Sequence, residues 1–244
     1  MFPMADPGSV LVVSAHAADF VWRAGGALAL YAGRGAAVHV VCLSFGERGE
    51  SQGLWQREGM TLQGVKDARR EESTAAAAAL GASVEFLDLG DYPLRVDDAA
   101  EDRLVDILRE HSPDVLLTHV ARDPYNTDHD LAHATTLRTR MVAQAHGHDP
   151  STTPLGAAQV FQYEPHQPEV CGFLPDLLLD VSPVWDRKLE AMRCMAGGQG
   201  HLVDYYTDLG TRRGVQARRN GAPAQVTHAE AFRRTFPSVG SELR

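Results

Sequence analysis

Short apolar runs alternate with longer amphipathic stretches along most of the chain. "SVLVVSA" at 9–15 is a continuous apolar run of strand length that ends in small residues, the pattern of a strand buried on both faces. "FVWRAGGALALYAGRG" follows as a helix, closed by Gly33 and Gly35. "AVHVVCLS" at 37–44 predicts a second buried strand, and "FGERGESQG" a Gly-rich loop. A helix from about Thr61 to Leu80 stops at Gly81. "VEFLDLG" at 84–90 predicts a third strand. Residues 97–111 form an amphipathic pattern with Leu104, Ile107 and Leu108 on one face, and "DVLLTH" at 114–119 predicts a fourth strand. The segment "VARDPYNTDHDLAH" is a loop entering a helix that runs to about Ala145.

Beyond it, strands are expected within 157–169 and over 176–182, then a helix opening at Pro183. From Gly197 the periodicity weakens, and this Gly- and Arg-rich segment is expected to cover a site as a lid. "THAEAFRRTF" at 227–236 reads as a final short helix.

This strand–helix alternation predicts an α/β fold, a Rossmann-like, mostly parallel sheet with helices on both faces. The 244 residues suit a single domain, with residues 1–150 as the core and 151–244 completing and covering the site. In such sheets ligands bind beyond the carboxyl ends of the strands. His16, the "GERGE" loop and the segment after His119 all follow predicted strand ends, so they should converge on one crevice.

Composition narrows the function. A net charge of −9 leaves no basic face for nucleic acid. Lys66 and Lys188 are the only lysines, so the cations are nearly all Arg, which grips carboxylates in paired bonds. Cys42, Cys171 and Cys194 lack paired spacing and read as reduced thiols. The first residues lack a signal-peptide pattern, and no apolar run is long enough for a membrane helix. A cytoplasmic protein is the expectation.

His16 and Asp19, just past a buried strand, are good divalent-metal donors. His129 and His133, four apart on one helix face, could each supply a third. A strand-end His capped by a neighbouring Asp, with surface histidines on a helix, is the competing structural reading.

Four motifs in order carry a resemblance: "AHAADF" at 15–20, "GERG" at 46–49, Arg69 to Glu72 followed by an Ala-rich helix ending in Leu80-Gly81, and "NTDH" at 126–129. "AEAF" near the C-terminus adds to them. Together they resemble the PIG-L/LmbE-like family of zinc-dependent N-deacetylases. The resemblance implies zinc ligands at His16, Asp19 and His129, and a homo-oligomer. It also exposes departures. The family's general-base Asp falls on Ala18, its following Glu on Phe20, and the first His of His-Pro-Asp-His on Asn126. Ala cannot move a proton, so ordinary amide hydrolysis lacks its base.

"ADFVWRAGG", "VHVVCLSFGERGES" and "LGDYPL" resemble a hydratase branch of the family. That likeness implies water addition across the C=C bond of an unsaturated oxo-tricarboxylic acid in gallate and protocatechuate meta-cleavage. Zinc, or another divalent ion, would hold the 2-oxo acid or stabilise its enolate. Glu50 is the candidate base, with Glu47 as the second choice. His166, in the Pro-flanked loop "YEPHQPE", is the candidate acid. Arg69, Arg48, Arg23 and Arg213 are candidates for the substrate carboxylates, and Tyr125 and Asn126 for hydrogen bonds to substrate. An N-deacetylase acting on an N-acetyl sugar is the alternative.

Overall fold

The computed structural model describes residues 7–239. Seven strands form one sheet: β1 Ser9–Ser14, β2 Ala37–Cys42, β3 Ser83–Phe86, β4 Val115–Thr118, β5 Gln159–Tyr163, β6 Leu177–Asp180 and β7 Ala229–Arg234. Their order is β3-β2-β1-β4-β5-β7-β6. The first five are mutually parallel, and β7 runs antiparallel between β5 and β6. The helices are α1 Asp19–Gly33, α2 Gln52–Trp55, α3 Leu62–Leu80, α4 Asp98–His111, α5 Thr127–Gln144, α6 Trp185–Cys194, α7 Ala196–Gln199 and α8 Leu202–Arg219.

β1 explains why the sheet is covered twice. Val10 and Val12 join the core beneath α1, α3 and α6, while Leu11 and Val13 join the core beneath α4 and α5. Every one of these side chains is fully buried, as a parallel strand between two helical layers requires. Sequence signals also set the helix ends. Thr61 Oγ1 accepts from Gly64 N–H at the start of α3, and Gly81 ends it with φ 77°. Asp97 caps α4 and Asn126 caps α5.

The chain winds from β1 to β2 and β3 on one side, then returns to β4 and β5 on the other. Between β1 and β4 the direction of winding reverses, which opens the crevice where ligands bind in such sheets.

One expectation near the C-terminus needs correction. Residues 229–234 form strand β7, not a helix. Ala, Glu and Arg favour helix locally, but pairing between β5 and β6 buries Ala229, Glu230, Ala231 and Phe232, and that burial wins. The Gly197–Gln225 segment is mostly the regular 18-residue helix α8, packed on β7, and α7 with the start of α8 lines the crevice. Glu230 ties the layers together. Its carboxylate accepts from Gly26 and Ala27 N–H and pairs with Lys188 at 2.6 Å, all buried. Among the described residues, no helix is long and apolar enough to cross a membrane.

Candidate metal centre and its cavity

β1 delivers His16 and Asp19 to the crevice, the turn after β2 delivers Glu50, and the first turn of α5 delivers His129. One donor atom from each of these four lies within 4.8 Å of the others. His16 Nδ1 is 3.3 Å from Asp19 Oδ2 and 3.2 Å from Glu50 Oε1, and His129 Nε2 is 3.6 Å from Asp19 Oδ1. The loop is shaped for this approach. Gly46, at φ 66°, leaves room for the β-carbons of His16 and Glu50, and a methyl group there would crowd both. Ser44 Oγ donates to Ala15 carbonyl and Ser51 Oγ to Gly46 carbonyl, stitching the loop to β1 and to itself.

The outer nitrogens of both histidines are held by carboxylates. His129 Nδ1–H donates to Asp123 at 2.8 Å, and His16 Nε2–H to Asp128 at 3.3 Å. A carboxylate only accepts, so each bond fixes the tautomer and leaves the inner nitrogen with its lone pair facing inward. Those inner atoms, His16 Nδ1 and His129 Nε2, are buried and have no hydrogen-bond partner among the described residues. Two orphaned imidazole nitrogens and two carboxylates around one point form a donor set suited to zinc or a similar divalent ion.

Electrostatics agree with the geometry. Burial pushes Asp123 and Asp128 upward, but their His and backbone N–H donors outweigh it and hold each at about 2. Burial likewise opposes ionisation of Asp19, yet His119, His129 and Arg23 hold it well below the carboxylate range. Burial raises Glu50, and the facing His16 overrides it downward. His119 is pushed down to about 3 by burial and by His129, whose ring it stacks on at 4.1 Å. It is therefore neutral and accepts the Ala15 N–H through Nε2.

A cavity of about 330 Å³ opens above the four donors. Glu50, His129, Asp19, Arg23, Asn126, Tyr125 and His166 all face it. Asn126 Nδ2 donates to Glu50 Oε1 at 3.3 Å and to Tyr92 Oη at 3.0 Å, so the family's His position now holds Glu50 in place. Arg23 is buried against Asp19 at 3.2 Å, and its Nε makes no hydrogen bond among the described residues. Burial and Arg23 push His166 below its ordinary range.

Four expected site residues lie elsewhere. Glu47 is fully buried, facing Lys66 at 3.9 Å rather than the cavity. Arg69 is fully buried and donates to Phe45 carbonyl, Glu72 and Gln199, because it falls on the inward stripe of α3 with Val65 and Ser73. Arg48 is half-exposed and donates to Asp91 carbonyl. Arg213 forms a paired contact with Glu164 in a neighbouring cavity that also reaches His166. Conversely, the carboxylates that orient the donor histidines, Asp123 and Asp128, and the cavity residues Tyr92, Gln199, His201 and Tyr206 escape a reading of the sequence. Asp128 and Asp123 flank His129 closely enough to have been found; the others come from segments distant in sequence.

Ala18 occupies the N-cap position of α1 and makes no side-chain cap. Both it and Phe20 are fully buried in the core under α1. No titratable group stands at either position, although the donors beside them are intact.

Comparison with known proteins shows what the chain is similar to. A family model described as PIG-L, GlcNAc-PI de-N-acetylase, matches residues 11–139. The chain is 53% identical over 238 residues to the 4-oxalmesaconate hydratase of Pseudomonas putida, spanning 96% of this chain and 92% of that one. It is similar to the crystal structure of GalB, the 4-carboxy-2-hydroxymuconate hydratase of Pseudomonas putida KT2440, with a TM-score of 0.94, 53% identity and coverage of 97% and 99%. N,N'-diacetylchitobiose deacetylase from Pyrococcus horikoshii shares the fold, with a TM-score of 0.77 at 21% identity and coverage of 96% and 85%. By its motifs, its fold and its relatives, the chain belongs to the PIG-L family.

Proposed function

We propose that this protein is a zinc-dependent hydro-lyase that adds water to 4-oxalomesaconate (4-carboxy-2-hydroxymuconate) and forms 4-carboxy-4-hydroxy-2-oxoadipate. The observation that carries this reading is 53% identity across nearly the whole chain to a hydratase of that name. The site supports it, since the donor set persists while the amidase base is a methyl group at Ala18.

The 2-hydroxy diene takes a proton at C5 as its hydroxyl releases one, which leaves a 2-oxo-3-ene. The oxygen of water then bonds to C4, β to the oxo carbon, the C3=C4 π electrons move onto the oxo oxygen as an enolate, and C3 takes a proton. His16, Asp19 and His129 would hold the metal, which supplies a Lewis acid for the oxo oxygen when bound. Glu50 is the most open of the four donors, with 14% of its side chain exposed, and it lines the cavity. It takes the proton from the attacking water. Asn126 and Tyr92 keep its carboxylate aimed. His166 faces the same cavity and delivers the proton to carbon. Free, it is neutral; the negative charge of a bound tricarboxylate pulls its pKa upward and loads the proton. Arg23 lines the cavity; its Nε is paired with Asp19 at 3.2 Å, and the rest of its guanidinium binds a substrate carboxylate.

The test is loss of ultraviolet absorbance from 4-carboxy-2-hydroxymuconate before and after chelation and zinc reloading. Loss that stops with chelation and returns with zinc supports the reading. A zinc-loaded protein that leaves the absorbance unchanged contradicts it.

A further inference from the structure

Gln199 is assigned no role by the family motifs, yet its side chain is unusually constrained. Its Oε1 accepts from Trp22 Nε1 at 3.0 Å and from Arg69 Nη2 at 3.4 Å. Both partners can only donate, so the amide oxygen must face them. The Nε2 end is then fixed as well. It makes no hydrogen bond among the described residues, and Gln199 lines the cavity above the metal donors.

The surroundings are built around this clamp. Arg69 is fully buried and held by Phe45 carbonyl and Glu72. The backbone of α7 lies directly on that Arg69–Glu72 pair. A β-carbon at Gly197 would overlap the Glu72 carboxylate, and one at Gly198 would come within 3.1 Å of Arg69 Nη1. A β-carbon at Gly53 would come within 3.1 Å of Gly198 carbonyl, so α2 presses on the same turn. Trp22, the other clamp, stacks on Tyr206 at 5.5 Å. Gly197 and Gly198 thus let the turn settle until Gln199 reaches both donors.

We infer that Gln199 is a substrate-binding residue whose amide N–H group donates to a carboxylate of the acid. This deepens the proposed hydratase reading and rests on it. The cavity already holds the carboxylates of Asp19 and Glu50, which repel an anionic substrate, so binding needs donors among the other lining residues. Arg23 and Gln199 supply them. Arg69 then acts as a positioning residue, reaching substrate through Gln199 rather than directly.

Q199E isolates the claim. The substituted carboxylate keeps an oxygen for Trp22 and Arg69 but turns the cavity-facing donor into an acceptor. Zinc content and melting temperature should match wild type. KM for 4-carboxy-2-hydroxymuconate and the calorimetric Kd for tricarballylate, an unreactive tricarboxylate, should both rise about tenfold or more, as expected when a hydrogen bond to a charged group is lost. Q199L, which lacks both ends, should show the same rise. A purely structural Gln199 predicts that Q199L, which adds no charge to the cavity, stays within about twofold of wild type in KM and Kd, which overturns the inference. Wild type that binds tricarballylate but does not hydrate contradicts the hydratase reading, while the Kd comparison still decides the role of Gln199. Wild type that does neither overturns both.

Discussion

At the scale of single residues, the proposed function divides the site into groups that would hold a metal and groups that would move protons. H129A removes an inner donor and should abolish zinc binding, as should H16A. D123N keeps the ring in place but weakens its anchor, and should lower zinc affinity about 10- to 100-fold, the usual effect of losing a carboxylate behind a ligating His. Metal content by atomic absorption checks both; zinc retained at full occupancy in H16A and H129A would refute the ligand set. E50Q should keep the metal while turnover falls by about two orders of magnitude or more, the range for a lost general base. A rate near wild type would move the proton transfer to another group. Much of this was legible in sequence. His16, Asp19, Glu50 and His129 follow strand ends or open a helix, and the topology of a parallel sheet brings such positions together. The burial of Arg69 is harder to read, since its motif position conceals its place four residues from both Val65 and Ser73, on the inward face of α3.

At the scale of elements, the loop after β2 decides how the cavity is closed. Asp91 accepts the N–H groups of Arg48 and Gly49, and Tyr92 then lies against Gly49. A β-carbon at position 49 would overlap the Tyr92 ring. G49A should therefore displace Tyr92, break its bond to Asn126 and lower kcat/KM by about tenfold or more through misplacement of Glu50, with zinc content unchanged. Unchanged kinetics would show that Tyr92 has no part in the site. Helices and parallel strands could be read from apolar runs and caps because local pattern and tertiary burial agree there. They disagree in β7. Its alanines and charged residues carry a helical propensity, and only the two flanking strands, distant in sequence, make it extended. The same holds for α7, whose glycines signal a loose segment but exist to admit the Arg69–Glu72 pair.

Across the whole molecule, one feature of the folded state is a set of buried and half-buried histidines that favour the neutral form. Burial pushes His39, His133 and His228 below their ordinary range, with the stacked His111 adding to the effect at His39 and Lys188 at His228. A folded pKa below the unfolded value of about 6.5 means that the unfolded chain takes up protons first as pH falls. The stability these neutral histidines contribute is present above that value and is lost as pH drops toward their folded pKa. Denaturation midpoints should thus fall between about pH 7.5 and 5.5, and H39Q should show a shallower fall than wild type. Equal slopes would mean that His39 is protonated alike in both states. The reversal of winding between β1 and β4 sets the donor set, the cavity and its clamped Gln199 at one end of the sheet. The proposed hydration depends on the exchange of an amidase base for a new proton-transfer pair. Product analysis in heavy-oxygen water tests that exchange most directly. Zinc-loaded protein given 4-carboxy-2-hydroxymuconate should yield a product heavier by one water, carrying one labelled oxygen as a tertiary hydroxyl. An unlabelled, unchanged acid, together with acetate released from an N-acetyl sugar, would contradict the hydratase and restore the amidase.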